Sequence, residues 1–330
     1  MFFFVLRRLL ASLVVLLVSS FLVFALCAAS FDPLAKFRQR QPPPSQQLLD
    51  TEAHRLGVDR PFLGRYWSWL TGVVHGDFGN TIGNTPVSEQ LWARVAVTGR
   101  MIILAVILAV ALAVIVGVVG AVRQYTFADY ATTTIAYVLI ALPTFWFATL
   151  LKQYLAVELN NLFGTQILET IGEQSAGIQL TANSSWDLWQ DRLAHLVLPT
   201  ISLALLSFAS WSRFQRASML DVLGSDYMRL ARAKGLTFRR TVWKHGLRNA
   251  LIPLTTVVAL GTGTLFGGAI ITEQVFAWNG MGRYLLQDGI GNNDINVVLA
   301  WLLVSAVFVI LFNLIADLLY AVLDPRIRLS

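Results

Sequence analysis

Charge is scarce in this chain. Asp, Glu, Lys and Arg make up 13% of its 330 residues, while 56% are hydrophobic. A soluble domain carries about 25% charged residues. The deficit excludes an ordinary soluble domain and predicts a chain that crosses a membrane several times. Cysteine is nearly missing: Cys27 is the sole thiol, which excludes an intrachain disulfide and a Cys-rich metal site. The four histidines, His54, His75, His195 and His245, lie far apart and form no HExxH pair, so no metal site is expected. No glycine is followed by lysine, so a phosphate-binding loop of the GKS/GKT type is absent. No Ser/His/Asp arrangement has readable spacing. The chain is expected to be no enzyme, to hold no catalytic residue and to bind no cofactor.

What is present is apolar length. About 20 apolar residues cross a bilayer as a helix. Six runs qualify: Leu9–Phe31, Met101–Val122, Tyr130–Leu151, Leu193–Ser212, Ala250–Thr272 and Ile295–Ala316. Five carry no charged or histidine residue, and the fourth carries only His195 near its start. Intramembrane charges mark ion and proton pathways, so their absence speaks against an ion-coupled carrier and a voltage sensor. The first run follows Arg7-Arg8 and closes on "CAAS", as a signal peptide would. It is longer than a signal core, which favours a retained anchor.

The net charge of +6 records topology rather than nucleic-acid binding. Arg7 and Arg8 place the N-terminus in the cytoplasm, and six spans return the C-terminus there. The inner segments are then the N-terminus, the turn at Arg123, the loop Arg213–Arg248 and the tail "DPRIRLS". They hold 14 of the 25 Lys and Arg residues. Trp211 and Trp243 flank the basic loop and suit the headgroup layer.

Two outer segments are expected, Asp32–Gly99 and Lys152–Arg192, read as a lid or docking surface. The first contains "QPPPSQQ", a stiff turn or linker. After it, Leu63, Tyr66, Trp67 and Leu70 share one helical face. In the spans, Gly263 and Gly267 form a GxxxG pair suited to close helix packing, with "VGVVG" at Gly117–Gly120 a second such place. Pro143 and Pro199 fall inside spans three and four, where kinks are expected.

The basic loop is the most informative stretch. "YMRLARAKGLTFRRTVWKHGLRNALIP", Tyr227–Pro253, has seven Arg or Lys among 27 residues. Ser225–Arg232 reads as a helix that Gly235 ends. A second short helix follows, with Arg240, Lys244 and Arg248 on one face and Trp243 and Leu247 as an adjacent apolar strip. Pro253 is expected in the first turn of span five, where its missing N–H costs least. An interfacial helix held by anionic lipid satisfies the charge equally well.

The order of residues says more. "DYMRLARAKGLTFRRTVWKHGLRNALIP" resembles the cytoplasmic signature loop of binding-protein-dependent ABC importer permeases. It is similar to the oligopeptide/dipeptide branch, whose usual form is close to "YxRxARAKGLxxxxVxxxHxLRNALIP". The general signature opens Glu-Ala-Ala. Here Arg229-Leu230-Ala231 take that place without the glutamate, as is typical of the peptide branch. "LGVDRPFLGRYWSWLTGVVHGDFGNT", "ITEQVFAWNGMGRYLLQ" and "ADLLYAVLDPRIRL" resemble further stretches of that family in the right order, with Asn279 where proline is usual.

The resemblance implies an all-α polytopic fold of the type I ABC importer class, with six membrane helices. Residues 1–99 would form the first helix and outer segment. Residues 100–323 would form a five-helix core with a coupling loop over 215–248, and 324–330 a cytoplasmic tail. The chain would sit in the bacterial inner membrane with both termini cytoplasmic. Its implied partners are a second related permease, two ATPase subunits or domains that carry ATP and Mg, an external solute-binding protein, a peptide substrate and membrane lipid. Ala231, Gly235, Leu236 and Phe238 would fill a groove on the ATPase. Arg229 lies at the start of the segment, and Arg239, Arg240 and His245 would border the groove. Span geometry, rather than the resemblance, marks Thr264, Thr272 and Glu273 as candidates for the pathway or gate. Nickel, glutathione or a short glycan as the solute, and a membrane anchor as the role, stay open at this point.

Overall fold

Helix dominates because the apolar runs leave no other way to satisfy backbone N–H and C=O groups away from water. The computed structural model describes residues 2–39, 41–164, 166–182 and 184–323. The tail expected over 324–330 lies outside them. The helices are α1 (Phe2–Ser30), α2 (Ala35–Arg38), α3 (Gln46–Arg55), α4 (Phe62–Val74), α5 (Val87–Val122), α6 (Phe127–Ala141), α7 (Thr144–Leu150) and α8 (Glu158–Phe163). They continue with α9 (Ile178–Thr181), α10 (Ser185–Leu223), α11 (Asp226–Ala233), α12 (Phe238–Thr241), α13 (Leu247–Gly268), α14 (Ile270–Val275), α15 (Met281–Tyr284) and α16 (Ile295–Leu323). Three π-helical turns, Leu151–Val157, Val242–Gly246 and Leu285–Ile290, are inserted between them. Among the described residues the only β pairing is an isolated bridge, Asn80 to Pro86.

Five of the described helices are long and apolar enough to cross a membrane, and a bent pair brings the number to six when counted as one span. The third span is where the expectation of a continuous run fails. Phe127–Ala141 and Thr144–Phe163 meet at 113°. Leu142 is extended (φ −80°, ψ 132°), the conformation proline imposes on its predecessor, and Pro143 removes the next N–H. Pro199 does not break its helix. It is buried inside α10, and its neighbours Leu198 and Thr200 are buried with it. Pro253 likewise lies in the interior of α13, past the first turn where it was expected.

The chain divides into two units. The first comprises residues 1–98 and 279–310. Its packing centre is aromatic: Phe21 and Phe24 of α1 meet Phe62, Tyr66 and Trp69 of α4 at centroid separations of 5.1 to 6.1 Å. The Ser20 and Tyr66 hydroxyls are 3.0 Å apart. The packed face of α4 is therefore Phe62–Tyr66–Trp69. Leu63 and Trp67, expected on that face, are two-thirds exposed. Helix α5 begins at Val87, ahead of the apolar run that starts at Met101.

A small hairpin precedes α5. Asp294 Oδ2 accepts from the Ile82 N–H at 2.6 Å, and Arg55 Nη2 donates to the Ile82 carbonyl at 2.9 Å. Burial raises the Asp294 carboxyl above its ordinary range, opposed by backbone N–H groups of Ile82, Val297 and Asn296.

The second unit comprises residues 99–278 and 311–330. Ser184 opens α10 with a capping box: its Oγ accepts from the Asp187 N–H, and the Asp187 carboxylate accepts from the Ser184 N–H. At its other end α10 packs against α5, α6 and α13. A Cβ at Gly117 would lie 2.8 Å from Gln215 Cβ and 2.9 Å from the Ser212 carbonyl, so α5 and α10 touch through bare backbone there. Trp211 is buried against Gly261, whose added Cβ would lie 3.0 Å from the indole. It fills a helix–helix gap, and only Trp243 of the two flanking tryptophans is exposed.

Candidate coupling site

The basic loop folds as helix, turn, helix. Asp226 occupies the first turn of α11, where a carboxylate complements the helix dipole, and pairs with Arg229 one turn on. The helix ends in a Schellman arrangement: the Leu236 N–H donates to Ala231 O (3.3 Å) and the Gly235 N–H to Arg232 O (3.0 Å). That geometry needs a left-handed residue, and Gly235 supplies it at φ +86°. Thr237 then caps α12. Its Oγ1 accepts from the Arg240 N–H at 3.4 Å, and its carbonyl accepts from the Thr241 N–H and hydroxyl. The Arg232 guanidinium lies 5.6 Å over the Phe238 ring and bridges the turn.

Two methionines hold the loop down. A Cβ on Gly246 would lie 3.0 Å from Met219 Cε and 3.3 Å from Met228 Cε, so α10, α11 and the π turn converge on that glycine. Val242, Met219 and Ala250 bury with Val118 and Ala121 of α5. The Ser218 hydroxyl donates to the Ala250 carbonyl at 3.0 Å. The anchored side of the loop is apolar and its outer side is charged.

The turn is exposed. No heavy atom lies within 4 Å of where a Gly235 Cβ would sit. Gly235, Phe238, Arg239, Arg240 and Arg229 are exposed, and Ala231, Leu236 and His245 are half-buried. All eight residues expected at the coupling site thus lie on this one helical hairpin. The second helix differs from expectation in register. Its π turn at Val242–Gly246 breaks the i, i+4 spacing assumed for Arg240, Lys244 and Arg248. Leu247 packs inward while Trp243 faces out, so the two form no common strip.

The other expected residues are elsewhere. Thr264 is exposed on α13 and donates to the Gly261 carbonyl at 2.8 Å. Thr272 and Glu273 are buried in α14, beyond the break at Ala269. Gly263 is buried in α13, and the backbone of Gly267 continues the same helix.

Sequence reading passed over Met219, Met228 and Gly246, which carry no periodic signal of their own. It also passed over Thr237, whose hydroxyl before "FRR" is a legible N-cap. The ion pair of Asp129 with Arg216 lay just outside the apolar runs and so escaped notice.

Comparison with known proteins agrees with this architecture. Residues 1–89 match the family described as binding-protein-dependent transport system membrane component, N-terminal. Residues 109–329 match the binding-protein-dependent transport system inner membrane component family. The chain is 44% identical over 324 residues to the oligopeptide transport system permease protein OppB of Mycobacterium tuberculosis, covering 98% of each chain. It is 38% identical to the oligopeptide transport system permease protein AppB of Bacillus subtilis, over 98% of this chain and 99% of that one. It is 36% identical to the dipeptide transport system permease protein DppB of Escherichia coli, over 83% of each. Among solved structures it is similar in fold to a chain of the inward-facing MetNI methionine ABC transporter. That match has a TM-score of 0.53 and 19% identity, over 71% of this chain and 96% of that one. The chain therefore belongs to the binding-protein-dependent transport system inner membrane component family, and is a transport permease subunit of that ABC class rather than an enzyme.

Proposed function

We propose that the chain is one of two related permeases in an ATP-driven importer of short peptides, and that the Tyr227–Pro253 hairpin receives the ATPase stroke. The observation that carries the second half is the Gly235 turn. It is exposed and sterically open, yet pinned between two helices whose inner faces are packed. A protruding turn on a rigid base suits insertion into a groove on another protein. Ala231, Gly235, Leu236 and Phe238 fill that groove, while Arg229, Arg239, Arg240 and His245 border it.

Because α12, the π turn and α13 follow one another without a gap, a push on the turn passes into span five. ATP binding on the partner subunits, with its Mg, closes them and turns the permease pair from inward-facing to outward-facing. An external binding protein then delivers the peptide. Both termini are cytoplasmic in this arrangement. The five-helix core of 100–323 forms half the pathway, with Thr264, Thr272 and Glu273 as pathway or gate residues and Gly263 and Gly267 packing its helices. The peptide assignment is supported by the relatives at 36 to 44% identity, which are oligopeptide and dipeptide transport permeases.

The test is reconstitution of the complete transporter with its binding protein in proteoliposomes. Uptake of labelled di- to pentapeptides that depends on ATP and the binding protein supports the reading. Uptake of nickel, glutathione or a glycan in place of peptides overturns the substrate assignment. ATP turnover that ignores the loaded binding protein overturns the coupling.

A further inference from the structure

Next to the Gly235 turn the loop carries a second feature, which shares Arg239 and Arg240 with the proposed ATPase border and adds Thr237, Trp243 and Lys244. Thr237, Arg239, Arg240, Trp243 and Lys244 line an open concavity of about 420 Å³. Three of the five are cationic and none is acidic. Among the described residues, Arg239, Arg240 and Lys244 make no side-chain hydrogen bond or ion pair, although Arg229 and Arg216 nearby in sequence both have acidic partners. Trp243 is 58% exposed on the same concavity, with its inner neighbours Val242 and Thr241 buried.

The location gives these unpaired cations a partner. They stand on the first turns of the stretch Phe238–Phe266, 29 residues that are long and apolar enough to cross a membrane. At about 1.5 Å per residue such a helix is about 43 Å long. The hydrocarbon core is about 30 Å thick, and about 40–45 Å with its headgroup layers. All charged residues of the stretch lie between Arg239 and Arg248, so the excess falls at this end, at the depth of the headgroups. An indole flanked by basic side chains is suited to that layer: the ring rests at the apolar boundary and the cations reach phosphate.

We infer that Arg240, Trp243 and Lys244, with Arg239 and the Thr237 hydroxyl, form a binding site for the phosphate of an anionic phospholipid. This rests on the proposed function, in which the hairpin stands on the cytoplasmic side beside the ATPase. It divides the hairpin between two partners. The turn around Gly235 meets the ATPase, the concavity beside it holds lipid, and Arg239 and Arg240 stand at the seam. Bound lipid would fix the depth at which the turn stands out from the membrane.

The experiment uses the assembled transporter in nanodiscs of phosphatidylcholine with graded phosphatidylglycerol, reading retained lipid by native mass spectrometry. The wild-type complex should retain phosphatidylglycerol preferentially. Arg240→Gln with Lys244→Gln should lower that preference by about 25-fold, roughly fivefold for each cation near an anionic surface. Lys244→Arg should preserve it, and Trp243→Leu should weaken it without unfolding an exposed site.

An unchanged preference in the double variant overturns the site. So does equal competition by free glycerophosphate, which would make it a soluble-phosphate site. Loss of ATPase subunits from the double variant in purely neutral discs would assign these cations to the ATPase instead. A Gly235 variant separates the two readings: it should lose coupled transport and keep the lipid preference.

Discussion

Arg216 on α10 grips Asp129 on α6 with two parallel hydrogen bonds, Nε to Oδ1 at 2.7 Å and Nη2 to Oδ2 at 2.8 Å. Asp129 is almost fully buried, and its Oδ2 also accepts from the Tyr125 N–H at 3.0 Å. The pair ties α6, the first half of the bent pair, to α10, the helix that leads into the basic hairpin. Two-pronged geometry suits arginine and not lysine. Removing Arg216 strands the buried Asp129 carboxylate; because Arg216 itself is 28% exposed, the cost should fall below the roughly 3–5 kcal/mol of a fully buried pair. Arg216→Gln should therefore lower thermal stability in detergent sharply, Arg216→Lys should fall between, and Asp129→Asn with Arg216→Gln should recover part of the loss. Additive loss in that double variant would show that the two residues act separately.

Gly235 should respond to substitution in an order set by backbone conformation. Left-handed backbone costs a non-glycine residue about 1–2 kcal/mol, least for asparagine. Uptake should fall in the order Gly, Asn, Ala, Val. Space around the position is open within this chain, so a long side chain tolerated in the isolated subunit should fail only in the complex. Comparing subunit stability with transport in Gly235→Asn and Gly235→Arg checks this. Arginine that leaves transport at the asparagine level would mean no partner surrounds the turn.

Gly117 should respond to size instead. Its Cβ would sit 2.8 Å from Gln215 and 2.9 Å from a backbone carbonyl that cannot step aside. Overpacking of this kind costs about 1–3 kcal/mol. Gly117→Ala should destabilise more than Gly261→Ala, whose new methyl meets only the Trp211 ring at 3.0 Å. Equal melting shifts for the two would contradict the packing.

Asp294 predicts a pH dependence for the hairpin that precedes α5. Its carboxyl is raised in the folded chain, chiefly by burial, so the native state holds its proton more tightly than the unfolded chain. The stabilising contribution is complete below the unfolded value and is lost as pH rises through the folded one. Hydrogen exchange at the Thr81 and Val87 amides, which bond to the Thr85 and Gly79 carbonyls of the hairpin, should be slowest at low pH after correction for intrinsic rates. Asp294→Asn cannot ionise, so its exchange should lose that dependence.

Much of the fold could be read because lipid leaves a spanning segment few options: six apolar runs of sufficient length become helices or a bent pair. The Gly235 turn was legible for a local reason, since a glycine after a helix reports its own backbone conformation. Other features depended on what each residue meets. Pro143 and Pro199 look alike in sequence, yet only Pro143 breaks its span, while Pro199 is enclosed by buried neighbours along α10. Trp211 and Trp243 both border the loop, but Gly261 gives Trp211 a place to bury. The face of α4 that packs was chosen by Phe21 and Phe24 on another helix. The sequence by itself determined which segments are long and apolar enough to span and where the Gly235 turn falls. Tertiary structure decided which faces bury and which charges pair, because those depend on atoms far apart in the chain.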